Sequence, residues 1–449
     1  MKPYYQDKWV TIYHGDCRDL TFEGISAVVT DPPYELGFMG KTWDSKGISF
    51  QKETWEHLRQ SCLSGSPLLS FGGTRTFHRI ACAIEDAGWE IRDCIMYVYG
   101  QGFPKSLDIS KAIDKQQGID REDKFEGAFE RHAGPTGNKR CDKCGKWLVS
   151  GSPCQCPRPQ DMPQSPEAQL WEGYGTALKP AYEPIILAMN PLDGTFANNA
   201  LKHGVAGLNI DECRVGYPDG DDALEKGLKR AESPRADIRG GGFHTGTDWA
   251  EKRNIVASGM TSKGRFPANF IHDGSQMVLE LFPESKGAFA PVKRGQNGKS
   301  KGIYGDYAEK GDDGATYYGD NGSAARFFYC AKASKAERNK GCGDLEPEQM
   351  DESRKEGNPG GDNPRNRGVH KVNNNHPTVK PLALMEYLVK LIKMPEYNLV
   401  IDPFMGSGTT LLACIRLGIP CIGIDNDEHT CEIAARRCSQ EVMDFSEVK

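Results

Sequence analysis

Over residues 1 to about 120, short apolar runs of strand length alternate with amphipathic stretches. Residues 10–13, 25–30, 67–71 and 93–99 read as strands, and residues 77–87 space their apolar side chains as a helix does. The far end repeats this alternation. Residues 385–392 predict a helix, 398–401 a strand, 409–417 a helix stopped at Gly418, and 421–424 a further strand. Alternating strands and helices at both ends predict an α/β fold with a doubly wound, mostly parallel sheet. Between them, residues 219–263, 286–325 and 350–375 are rich in Gly, Asn, Asp, Lys and Arg and poor in periodic apolar positions, which predicts loops. No internal repeat of solenoid period is visible.

Composition narrows the class. A chain of 449 residues with 38% hydrophobic content can bury at least one sizeable core, either as two domains or as one domain with insertions. No apolar run approaches the roughly 18 to 20 residues of a membrane span, and the polar, Tyr-bearing start lacks a secretory apolar region. A soluble, cytoplasmic protein is expected. Fifteen cysteines, mostly single in apolar segments, suit buried thiols in a reducing compartment better than a disulfide framework. The net charge of −6 decides nothing about nucleic acid, because binding follows the distribution of charge rather than its sum.

The candidate chemistry sits at the two ends. Residues 399–410 run as an apolar strand into Asp402, Pro403, Phe404, Met405, Gly406, Ser407, Gly408, Thr409 and Thr410. A glycine turn between strand and helix lets backbone approach a ligand and aims helix amides at it. A second strand ends at Asp425, 23 residues beyond Asp402, where a carboxylate suits ribose hydroxyls. An adenosine-containing cofactor fits. A phosphate-binding loop does not, because the turn has no lysine, and the spacing also fails the dinucleotide fingerprint.

Near the start, the apolar residues 25–30 lead directly into Asp31, Pro32, Pro33 and Tyr34. Two prolines stiffen the chain as it leaves the sheet and remove two N–H donors, so their carbonyls stay free to accept. A carboxylate, free carbonyls and an aromatic face together suit an exposed amino group. Asp31 and a prolyl carbonyl would accept its two hydrogens while Tyr34 stacks on the ring of an extruded base. The lone pair is then directed at a methyl donor, and no covalent enzyme intermediate is needed.

Jointly, these elements resemble the amino-directed DNA methyltransferases, in the class that carries the catalytic tetrapeptide first and the S-adenosylmethionine loop last. The family's (D/N/S)PP(Y/F/W) is matched by residues 31–34 and its DPFxGSGTT by residues 402–410. Its HPxxKP segment is matched by His376, Pro377, Thr378, Val379, Lys380 and Pro381, and the resemblance implies that this segment holds the methionine end of the cofactor. Gly15, Asp16 and Cys17 are similar to the family's acidic turn toward the cofactor's adenine, and Asp425 to its ribose-binding acid. Residues 181–186 are similar to a later sheet motif and carry no assigned chemistry. On their residues alone, 376–381 are a proline-marked lead into a helix, with Thr378 a candidate cap, and Asp16 is a turn residue. The resemblance covers roughly residues 9 to 120, 171 to 195 and 376 to 436.

Cys141, Cys144, Cys154 and Cys156 place four thiols within sixteen residues, a spacing that suits a structural four-thiolate zinc site. Lys293, Arg294, Lys299 and Lys301, and Lys332, Lys335, Arg338 and Lys340 beside Phe327, Phe328 and Tyr329, are basic stretches suited to phosphates or to a solvated face. The expected division is a catalytic half at 1–135, a zinc knuckle at 136–165, a return to the sheet at 166–195, a target-recognition region at 196–375 and a cofactor-binding half at 376–449. The expected activity is transfer of methyl from S-adenosylmethionine to N6 of adenine in double-stranded DNA, with N4 of cytosine or a non-catalytic, zinc-containing DNA-binding protein as alternatives. Asp in the first tetrapeptide position favours adenine within the family.

Overall fold

The computed structural model describes residues 1–36, 47–100, 102, 106–119, 121, 162–216, 264–286, 321–331 and 379–444, and the two-residue strands at 139–140, 147–148, 260–261, 301–302, 305–306, 348–349 and 371–372. It divides into two units, residues 1–100 with 182–449, and residues 101–181.

The larger unit is built on a ten-stranded sheet. Its strands are β1 (Tyr5–Gln6), β2 (Val10–His14), β3 (Ala27–Thr30), β4 (Pro67–Phe71), β5 (Glu90–Val98), β6 (Tyr182–Met189), β7 (Phe270–His272), β8 (Tyr329–Cys330), β9 (Val400–Asp402) and β10 (Cys421–Asp425). In space they run β1-β2-β10-β9-β3-β4-β6-β5-β7-β8. The block from β2 to β4 is parallel throughout, β6 is antiparallel to both β4 and β5, and β7 and β8 continue parallel from β5. The sheet is therefore mixed and mostly parallel. Its central strands read as unbroken apolar runs because both faces are covered. Val29, Leu69, Leu187 and Val400 pack on one face against α3 (Leu382–Leu391), α4 (Thr409–Arg416) and α5 (Glu428–Asp444). Val28, Leu68, Ala188 and Ile401 face α1 (Lys52–Ser61) and α2 (Phe77–Asp86), where Trp55 and Ile84 are fully buried. Each such valine, leucine or isoleucine contributes roughly 1.5–3 kcal/mol on burial.

Strand and helix positions follow the apolar pattern within a few residues at each end. β7 and β8 come from the 196–375 stretch, so part of the region expected to serve recognition completes the sheet. The aromatic run there is also used internally. Phe328 packs on Phe270 and Phe282, and Tyr329 stacks on Tyr387 with ring centroids 4.0 Å apart. These rings close the edge of the core. The basic residues 293, 294, 299, 332, 335, 338 and 340 lie outside the described residues, as do the side chains of the strand carrying Lys301.

In the smaller unit, the helices Ile109–Gln116 and Pro166–Leu170 are joined by Asp114, whose buried carboxylate receives Ser165, the Gln164 amide and Arg121. Lys139–Arg140 pairs antiparallel with Trp147–Leu148. Cys141, Cys144, Cys154 and Cys156 lie outside the described residues, and no metal-binding cluster occurs among those described. No described helix is long and apolar enough to cross a membrane.

Candidate active site

β3 and β9 are neighbours in parallel register, so their carboxyl ends lie side by side although Asp31 and Asp402 are 371 positions apart. This is the juxtaposition expected at the carboxyl edge of an open α/β sheet. The two ends are tied directly, because Thr30 Oγ1 donates to Asp402 Oδ1 at 2.7 Å. Thr410 donates to Asp402 Oδ2 at 2.5 Å and the Phe404 amide to Oδ1 at 3.1 Å. With 1% of its surface exposed, Asp402 spends its carboxylate on the protein. It shapes the loop rather than offering a contact to a ligand, and burial pushes its carboxyl up to about 7.

The loop after β9 turns on Gly406 (φ 51°) and Gly408 (φ 77°), both in the left-handed region. The Gly406 amide donates to Asp425 Oδ2 at 3.0 Å and the Met405 amide to the Ile424 carbonyl, tying the loop to the end of β10. Burial raises the Asp425 carboxyl to about 6. From α5, the buried Arg437 donates to Ser407 Oγ at 3.0 Å and to Thr409 Oγ1 at 3.3 Å. Ser407 and Thr409 are themselves buried, so both hydroxyls serve the loop's shape. At the end of β2, Asp16 caps the turn Cys17–Asp19 and pairs with Arg18. An apolar cleft beside the loop is lined by Cys17, Phe22, Trp55, Pro403, Phe404 and Ile424. Burial pushes the Cys17 thiol up to about 12, so it stays neutral there.

The tetrapeptide leaves β3 with Pro32 buried and Asp31, Pro33 and Tyr34 half-buried. The Pro33 carbonyl receives the Ser49 hydroxyl at 2.8 Å, and the Tyr34 carbonyl receives Thr76 Oγ1 at 2.8 Å. Glu35, next in the chain, has φ 55° and accepts the Gly47 amide at 2.7 Å, which holds a strained backbone against the segment before α1. Asp31 Oδ1 is a buried acceptor with no hydrogen-bond partner among the described residues. Such an atom costs free energy unless something donates to it.

Lys380 reaches the same place from the segment preceding α3. Its Nζ lies 2.8 Å from Asp31 Oδ2, 3.2 Å from Glu183 Oε2 and 3.2 Å from Tyr34 Oη, so its three N–H donors meet three oxygens. It also stands over the rings of Phe71 and Tyr34. Burial would lower its pKa, but Asp31 and Glu183 hold it above the ordinary lysine value. Burial and those same carboxylates push the Tyr34 phenol well above its ordinary value. The ring of Tyr34 is thus held by Lys380 and by Gly73, where an added Cβ would meet it at 3.1 Å.

His376, Pro377 and Thr378 lie outside the described residues. Pro381 occupies the cap position of α3 with no side-chain cap bond. Glu183, Thr30, Thr410 and Arg437 were given no role of their own by the sequence reading. Their signals were a lone acid before Pro184 in an apolar strand, threonines flanking the glycine loop and the tetrapeptide, and an arginine inside the buried stripe of α5.

The DNA methylase family model matches residues 284–436, which include the glycine loop but not the tetrapeptide. The Type II methyltransferase M.HpaI of Haemophilus parainfluenzae is 40% identical over 83 residues, 18% of this chain and 26% of that protein. The Type II methyltransferase M2.DpnII of Streptococcus pneumoniae is 41% identical over 73 residues, 16% of this chain and 27% of that one. The chain thus spans about a quarter of the length of these relatives. The crystal structure of the M1.HpyAVI-SAM complex aligns at 13% identity and a TM-score of 0.33, covering 95% of this chain and 99% of that one. Residues 284–436 thus match the DNA methylase family, and short stretches of the chain are similar to Type II methyltransferases.

Proposed function

We propose that the chain binds S-adenosylmethionine and double-stranded DNA and methylates N6 of adenine on a base taken out of the duplex. The observation that carries this reading is Asp31 Oδ1, a buried acceptor without a partner beside the cofactor loop. An amino hydrogen of the base satisfies it. The Pro33 carbonyl already serves Ser49, so the Pro32 carbonyl is the prolyl acceptor for the second hydrogen. Both bonds direct the nitrogen lone pair out of the ring plane, toward the loop after β9.

The residues present fit the cofactor. Cys17, Pro403 and Phe404 offer an apolar surface to a flat ring, and the Asp425 carboxylate at the end of β10 suits ribose hydroxyls. Gly406 and Gly408 let backbone approach, with Asp402, Ser407 and Thr409 fixing the loop and Asp16 flanking the cleft at Cys17. His376 and Thr378 would hold the methionine end. When bound, S-adenosylmethionine supplies a methyl on a sulfonium: the N–C bond forms as the C–S bond breaks, and that electron pair leaves on sulfur. The nitrogen then carries a positive charge beside Asp31, and its extra proton passes through the Asp31 carboxylate to water. Pairing of Lys139–Arg140 with Trp147–Leu148 on either side of Cys141 and Cys144 supports a four-cysteine structural zinc site in the smaller unit.

Incubation with unmethylated duplex DNA and methyl-labelled cofactor, followed by digestion to nucleosides and mass analysis, tests the reading. N6-methyladenine is the expected product. N4-methylcytosine would transfer the mechanism to the other target, and no methylated base on varied DNA would favour a non-catalytic DNA-binding protein.

A further inference from the structure

Glu183 and Lys380 are joined to Asp31 by the fold itself. β6 runs antiparallel to β4, with Ile185 opposite Phe71, so the start of β6 lies at the carboxyl end of β4 and near the end of β3. This brings the carboxylate of Glu183 to the same ammonium that Asp31 meets. Lys380 lies between the two, at 2.8 Å from one and 3.2 Å from the other, and all three side chains are largely buried. The sequence resemblance assigned the segment of Lys380 to the cofactor. Its donors are instead matched by Asp31, Glu183 and Tyr34, with no N–H left for a cofactor carboxylate.

Resting on the methyltransferase reading above, we propose that Lys380 and Glu183 are the positioning residues of Asp31. The ammonium holds Asp31 Oδ2, which fixes the carboxylate and presents Oδ1 to the substrate amino group. Glu183 gives the buried trio a net charge of minus one. An Asp31–Lys380 pair alone would be neutral and would do little for a positive charge arriving on the base nitrogen. Two carboxylates around one ammonium leave a fixed negative charge where that positive charge develops, and a partly water-excluded site enlarges its effect. Glu183 also anchors the ammonium, so that the incoming amino group does not have to compete with Lys380 for Oδ1.

The test is single-turnover methyl transfer by the full chain and its variants, with cofactor affinity by calorimetry and melting curves on each. Glu183→Gln keeps the shape and removes the charge. It is expected to slow transfer at least about tenfold while cofactor affinity stays within about twofold. Glu183→Asp should recover part of the rate. Lys380→Ala should be slow alone and regain rate with added methylammonium but not with tetramethylammonium, which has no N–H to donate. Wild-type rates in Glu183→Gln would overturn the proposal. So would a Lys380→Ala variant whose cofactor binding fails while transfer at saturating cofactor is normal, since that assigns Lys380 to the cofactor. Absence of DNA methylation by the wild-type chain would instead remove the methyltransferase reading, and this proposal with it.

Discussion

Asp402 is a carboxyl held between two threonine hydroxyls and an amide. Those bonds favour its charged form, yet burial outweighs them and raises it to about 7. A folded pKa above the ordinary 3.8 means that the protonated form stabilises the fold. That contribution is complete below the unfolded pKa and is lost as pH rises to about 7. Asp425, raised to about 6, adds the same sign over a narrower window. Stability measured from pH 4 to 8 should therefore fall more steeply with rising pH in the wild type than in Asp402→Asn. Parallel curves would remove Asp402 as the titrating group. At this scale the sequence singled out residues that lie within a contiguous motif, such as Asp31 and Gly408. It gave no hint of the contact of Glu183 with Lys380, which depends on a strand pairing antiparallel to β4, or of Arg437, which meets Ser407 only once α5 packs on the loop.

Among elements, the glycine loop was legible because strand, turn and helix are contiguous in the chain. Its stiffness was not. Gly408 combines φ 77° with a close approach to α5, where an added Cβ would come within 2.9 Å of Ala434 Cβ. Gly408→Ala should destabilise by roughly 1–3 kcal/mol and weaken cofactor binding, read as a lower denaturation midpoint and a smaller cofactor-induced shift. An unchanged midpoint would show that α5 yields at no cost. The cysteine pairs at 141–144 and 154–156 are an element-scale expectation as well. Metal analysis should find one zinc per chain, lost in Cys141→Ser with Cys144→Ser, and a lower melting temperature for the smaller unit on chelation. A metal-free protein of equal stability would remove the site.

For the whole molecule, the α/β class followed from the alternation of strands and helices at both ends of the chain, and the neighbouring ends of β3 and β9 agree with the rule that sites lie at the carboxyl ends of strands. The mixed character of the sheet did not. Nothing local in Tyr182–Met189 distinguishes an antiparallel central strand from a parallel one, since both are buried on both faces. The recruitment of β7 and β8 from loop-rich sequence was equally silent, because two- and three-residue strands carry no period to read.

On the proposed function, one site, divided between the two ends of the chain, holds a cofactor and an amino group side by side. Single-turnover methyl transfer by wild type and Asp31→Ala, with cofactor affinity measured on the same samples, addresses it most directly. Asp31→Ala is expected to abolish transfer to DNA while binding S-adenosylmethionine within a few-fold of wild type. Undiminished transfer by Asp31→Ala would contradict it.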